Sequence, residues 1–108
     1  MDYKDILIKE RIYSNYDVSN NFLSIKMPVK VDGELCFFKC PFCRSSYKKN
    51  GQPYKSSKPV YHTHGWITNN GPKGGTRTPH CHPRVKELFN LPSYEWVLHD
   101  EKCVVRFE

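Results

Sequence analysis

Apolar and polar residues alternate over 23–27, the period of a strand with one buried face. Val29, Lys30 and Val31 continue the alternation past Pro28, which has no backbone N–H and so marks an edge or a bulge. Asp32-Gly33 is a hairpin turn signal, and residues 34–39 read as the returning strand. Ile6, Ile8 and Ile12 or Tyr13 indicate a short opening strand, followed by a polar loop over 15–21. No apolar period is visible over 44–59, where Lys, Ser, Tyr, Asn, Gly and Pro predict a long basic loop. A short strand is expected over 60–68, then a Gly- and Pro-rich loop over 69–79. Val85, Leu88 and Phe89 stand at i, i+3 and i+4 behind Pro83, the pattern of a helix opened by proline and bounded by Pro92. Residues 94–98 and 103–107 read as two strands of a closing hairpin. The expected class is α+β: hairpins, one short helix and long loops.

Length and composition sharpen that picture. A chain of 108 residues makes one domain, and two separate cores do not fit. Only 38% of the residues are hydrophobic, so the chain is expected to need a staple to order its loops. Fifteen aromatic residues argue against disorder. No apolar run is long enough to span a membrane, and the polar start predicts no cleaved signal peptide. An odd count of five cysteines argues against a secreted disulfide scaffold. The expected location is a reducing compartment, cytoplasm or nucleus, with a virion as a further possibility.

The charge is unevenly placed. No acidic residue lies between Glu34 and Glu87, while ten of the 17 Lys and Arg residues fall there. A basic block between mildly acidic flanks points to a polyanion partner.

The chemistry-bearing residues lie in the same block. Cys40-Pro41-Phe42-Cys43 is a Cys-x2-Cys knuckle that can turn two sulfurs to one ion. Four of the five histidines lie in two later clusters, His62-x-His64 and His80-Cys81-His82. A closed structural zinc site takes four N or S ligands. The knuckle supplies two, and one from each cluster completes the set. The first choice is Cys40, Cys43, His64 and Cys81, with His62 and His80 as alternates. Gly65 after His64 lets the chain turn sharply, and a thiolate at Cys81 suits zinc. Cys36 and Cys103 lie in apolar runs and read as core residues, and His99 as a surface histidine. One structural Zn2+ would close both long loops, so that metal binding contributes folding energy. The resulting expectation is a small zinc-stabilised domain, treble-clef-like or zinc-knuckle-like. Its strands and first hairpin span 1–39, its basic metal-binding core and helix 40–91, and its closing hairpin 92–108.

Cys40-Pro41-Phe42-Cys43, His62-Thr63-His64-Gly65 and Gly75-Thr76-Arg77-Thr78-Pro79-His80-Cys81 together resemble a pattern CPxC, HxHG, GxRxxHC. It belongs to small, mostly uncharacterised zinc-finger-like proteins of bacteria, phages and large DNA viruses. The resemblance covers residues 40–81, with a basic insert between Cys43 and His62. It implies zinc binding and no settled activity. Arg77, His62, His64, His80 and Cys81 all belong to the pattern, more residues than one zinc uses.

The function expected is a non-catalytic zinc module that binds nucleic acid with little sequence preference. Arg44, Lys48, Lys49, Lys55, Lys58, Lys73, Arg77 and Arg84 would follow phosphates, and Trp66 would stack on a base. An alternative is a zinc-stabilised structural or protein-interaction component, virion-associated in one version, with a protein partner. A second is a metal-dependent nuclease using His62, His80, His82 and Asn69 or Asn70. The lack of carboxylates over 35–86 counts against it, because Mg2+ prefers oxygen ligands. No membrane partner is expected.

Overall fold

The computed structural model describes residues 2–67 and 73–103. In chain order they form α1 (Tyr3–Lys9), β1 (Tyr13–Asp17), β2 (Phe22–Asp32), β3 (Leu35–Arg44), β4 (Pro59–Gly65), β5 (Lys73–Arg77), α2 (Val85–Leu88) and β6 (Ser93–Asp100). The class is α+β, rich in strands, with two short helices. The six strands form one mixed sheet in the order β4-β3-β2-β6-β5, with β1 also paired to β2.

The long strand β2 organises the sheet. Its alternation buries Leu23, Ile25, Met27 and Val29. Along one edge it pairs in parallel with β6, from Phe22 opposite Ser93 to Val29 opposite Asp100. On the other edge β1 reaches Lys26 and β3 begins at Lys30. Pro28 falls in the gap between them, where a missing N–H costs no ladder bond. The β2–β3 hairpin closes with Asp32 opposite Leu35, and Gly33 takes the positive φ of 61° that the tight turn demands.

The first residues are helical, correcting the expected opening strand. Tyr3, Ile6 and Leu7 share a helical face and are buried, whereas Ile8 is exposed. Asp2 accepts the Lys4 N–H at 3.0 Å, and Asp5 accepts the Asp2 N–H at 3.3 Å, a reciprocal cap. Residues 15–21 are likewise not all loop, since β1 runs to Asp17. The expected helix after Pro83 forms as the single turn α2, ended by Asn90 at φ 55°. Val85, Phe89 and Leu91 plug the core around it.

Two further expectations change. β5 lies in the segment read as a loop. The closing hairpin meets an occupied strand: over 96–99 one edge of β6 holds β2 and the other holds β5. Its intended partner from 104 onward lies outside the described residues.

The two outer strands β4 and β5 meet despite standing at opposite ends of the sheet order. Arg77 on β5 donates from Nη2 to the Gly65 carbonyl at 3.0 Å. The Trp66 indole, just past β4, packs against Gly74, where an added Cβ would collide with the ring. The sheet thus curls until its edges touch along a seam. Among the described residues, no helix is long and apolar enough to cross a membrane.

Candidate metal centre

β3 and β4 run antiparallel with Phe38 opposite His62 and Cys36 opposite His64. Cys36, Phe38, Cys40, His62 and His64 are all buried. The ladder is interrupted between Lys39 and Arg44, where the knuckle turns. There the Phe42 and Cys43 N–H groups both donate to Cys40 Sγ at 3.4 Å. The segment after β5 brings in Cys81 and donates the His82 N–H to Cys43 Sγ at 3.3 Å.

Cys40, Cys43, His62 and Cys81 offer four ligand atoms, all within 4.8 Å of one another. Cys40 Sγ lies 3.7 Å from Cys81 Sγ, which lies 3.6 Å from His62 Nε2. Three thiols and one imidazole so placed can hold a metal ion. Trp96, fully buried, packs beneath them with Phe38 at 4.9 Å and His62 at 6.4 Å between ring centroids.

The electrostatics favour one thiolate at Cys43. Hydrogen bonds from Cys40 and Cys81, and then from His62 and the His82 N–H, hold its pKa far below the ordinary thiol range. Cys40 moves the opposite way, because burial disfavours a second charge and its proton is shared with Cys43. The Tyr94 hydroxyl contacts Cys81, and burial foremost raises that phenol's pKa. Tyr47 is pushed up to about 12, first by burial. Its hydroxyl donates to the Phe42 carbonyl and accepts the Arg44 N–H, both at 3.0 Å, and so braces the knuckle.

The structure therefore gathers three residues of the first-choice set, and the fourth side chain is the alternate His62 in place of His64. The reason is register. Both histidines face inward, but His62 is diagonal to Cys40, and His64 lies two residues, or about 7 Å, further along β4. His64 instead stacks on Phe38 and meets His80 at 5.3 Å between ring centroids. Burial, then His80, His62 and Arg77, lower its pKa. His80 is exposed and stands outside the group of four.

The residues chosen for nucleic acid divide. Lys48, Lys49, Lys55, Lys58 and Lys73 are exposed. Trp66 is only 5% exposed and packs against Gly74, so no base can stack on it. The three arginines hold backbone: Arg44 bonds the Ser57 carbonyl and hydroxyl, Arg77 the Thr76 and Gly65 carbonyls, and Arg84 the Lys48 and Lys49 carbonyls. Cys36 is core as expected, whereas Cys103 is exposed in the turn after β6 and His99 is half-buried on that strand. Asn69 and Asn70 lie outside the described residues.

Comparison of the chain with protein-family models, curated proteins and solved structures finds no match. Sequence reasoning passed over Tyr94, Tyr47 and the His82 N–H, which support the cysteines. Their proximity depends on folding and leaves no mark in spacing.

Proposed function

We propose that the chain is a non-catalytic module held together by one zinc ion, binding nucleic acid through its basic loop with little sequence preference. The donor chemistry supports zinc, since three thiolates and one imidazole form a common closed zinc set. The spacing agrees. With Zn–S near 2.3 Å and Zn–N near 2.0 Å, a tetrahedron places sulfurs about 3.8 Å apart and sulfur about 3.5 Å from nitrogen. Two of the six separations, Cys40 Sγ to Cys81 Sγ at 3.7 Å and Cys81 Sγ to His62 Nε2 at 3.6 Å, lie close to those values, and all six are within 4.8 Å.

The observation that carries the nucleic-acid reading is the ordered presentation of the loop after β3. Tyr47 bridges to Pro53, and the Lys48 N–H donates to the Gln52 carbonyl. Arg84 clamps the turn. Lys48, Lys49, Lys55 and Lys58 project from this frame, and Lys48 stands 5.9 Å from the centroid of the exposed Tyr54 ring. A hollow of about 330 Å³ lies among Tyr47, Lys48, Lys49, Tyr54, His82 and Arg84. Cations around an accessible aromatic face suit an unpaired strand. Tyr54 takes the stacking role that buried Trp66 cannot fill.

Anisotropy titration of a single-stranded oligonucleotide over a salt series tests the reading. With about four lysines on phosphates, log K falls against log salt with a slope of roughly −3. Replacing Lys48, Lys49, Lys55 and Lys58 with Gln flattens the slope and leaves zinc in place. Tyr54→Ala weakens binding by about 1–3 kcal/mol. Absence of binding to DNA or RNA at micromolar protein and low salt contradicts the reading.

A further inference from the structure

His64 carries a feature that the metal centre leaves unexplained. The residue is 8% exposed, and its buried Nε2 has no hydrogen-bond partner among the described residues. A buried polar group without a partner loses its hydration and gains nothing in return, so it is unfavourable unless a ligand supplies the missing bond. One face of its ring stacks on Phe38 at 6.1 Å and 13°. His80 stands beside it, exposed to solvent. Arg77 is held at the end of β5 by its bonds to the carbonyls of Thr76 and of Gly65, the residue that follows His64.

The character of these neighbours selects the ligand. His80 packs against the His64 ring at 5.3 Å, and the Arg77 guanidinium is bonded at 3.0 Å to the carbonyl of Gly65, the next residue along the chain. His62 is engaged with the thiols. A cation entering here would face a guanidinium, so the complementary ligand is anionic. The donors come from three places: β4, the end of β5, and the segment beyond it. A tetrahedral oxyanion can present separate oxygens to all three, whereas a carboxylate has only two oxygens in one plane. Arg77 spends two of its five N–H groups on backbone carbonyls, which leaves donors for an anion.

We propose that His64, His80 and Arg77 form a phosphate-binding site beside the metal centre, separate from the lysine loop, which grips one phosphate of the bound nucleic acid. The identification of the phosphate's source rests on the nucleic-acid reading; the phosphate site itself does not. It accounts for residues of the HxHG and GxRxxHC segments that the metal group leaves unused.

The test is an NMR titration of histidine ring signals in the intact zinc-loaded chain. Inorganic phosphate is added against sodium chloride at equal ionic strength, and a short single-stranded oligonucleotide is added separately. The expected result is a saturable shift of the His64 and His80 signals with phosphate and none with chloride. The oligonucleotide moves the same signals. His80→Ala and Arg77→Gln each weaken phosphate at least ten-fold while keeping zinc content; His80 is exposed, so its variant has little cause to misfold. Equal shifts with chloride, a response that never saturates, or undiminished phosphate affinity in His80→Ala overturns the site. An oligonucleotide that binds without moving the His64 signals overturns the proposed grip and leaves the nucleic-acid reading standing. Saturable phosphate binding with no oligonucleotide binding upholds the site and defeats that reading.

Discussion

At the scale of single residues, His62 and His64 are chemically identical and share a face of one strand, yet two residues of rise give them different neighbours. The sequence shows that both point the same way, because side chains alternate along a strand. Which of them meets Cys40 depends on the pairing of β4 with β3, and no local signal states that register. The preference for His64 based on Gly65 followed the wrong constraint: Gly65 has ordinary room and ends β4, where its carbonyl receives Arg77. The account predicts that Cys40→Ser, Cys43→Ser, Cys81→Ser and His62→Ala each lose zinc on dialysis. Cys36→Ser, Cys103→Ser and His64→Ala keep it. Elemental analysis of the purified variants checks this, and zinc loss in His64→Ala with retention in His62→Ala would restore the first-choice set.

At the scale of elements, legibility followed the strength of local periodicity. β2 and its hairpin were readable because alternation and an Asp-Gly turn agree. α1 was misread because Ile6 and Ile8 mimic a strand, while Tyr3, Ile6, Leu7 and the Asp2–Asp5 cap specify a helix. β5 was hidden because its sequence carries Gly74 and Gly75, residues that normally signal a loop. Gly74 is there for packing, since its missing side chain lets Trp66 lie against the strand. Gly74→Ala is therefore expected to destabilise the zinc-loaded chain by roughly 1–3 kcal/mol, as overpacking does. Trp66→Ala should cost about 3–5 kcal/mol. Urea unfolding measures both, and a neutral Gly74→Ala would mean that the indole does not rest there.

At the scale of the whole molecule, the Cys/His group, the Arg77–Gly65 bond and the Trp66–Gly74 contact all join the β4 side of the curled sheet to the segment containing β5. Cys40 and Cys43 come from β3, His62 from β4, and Cys81 from beyond β5, so one ion would bridge parts of the chain 41 residues apart, measured between Cys40 and Cys81. The sequence pointed to a Cys/His group drawn from the knuckle and the two later clusters, and the fold brings Cys40, Cys43, His62 and Cys81 together. The sequence did not show the curl, since parallel pairing of β2 with β6 brings together segments about 70 residues apart and leaves no short-range trace. On the proposed zinc reading, metal binding is coupled to folding, because the ion would tie these distant segments into one site. The most direct test is urea unfolding of the intact chain with one zinc bound and after stripping by a strong chelator under reducing conditions. The account predicts one cooperative transition with zinc, and its loss or a large fall in midpoint without it. An unchanged midpoint and slope in the stripped chain would contradict it.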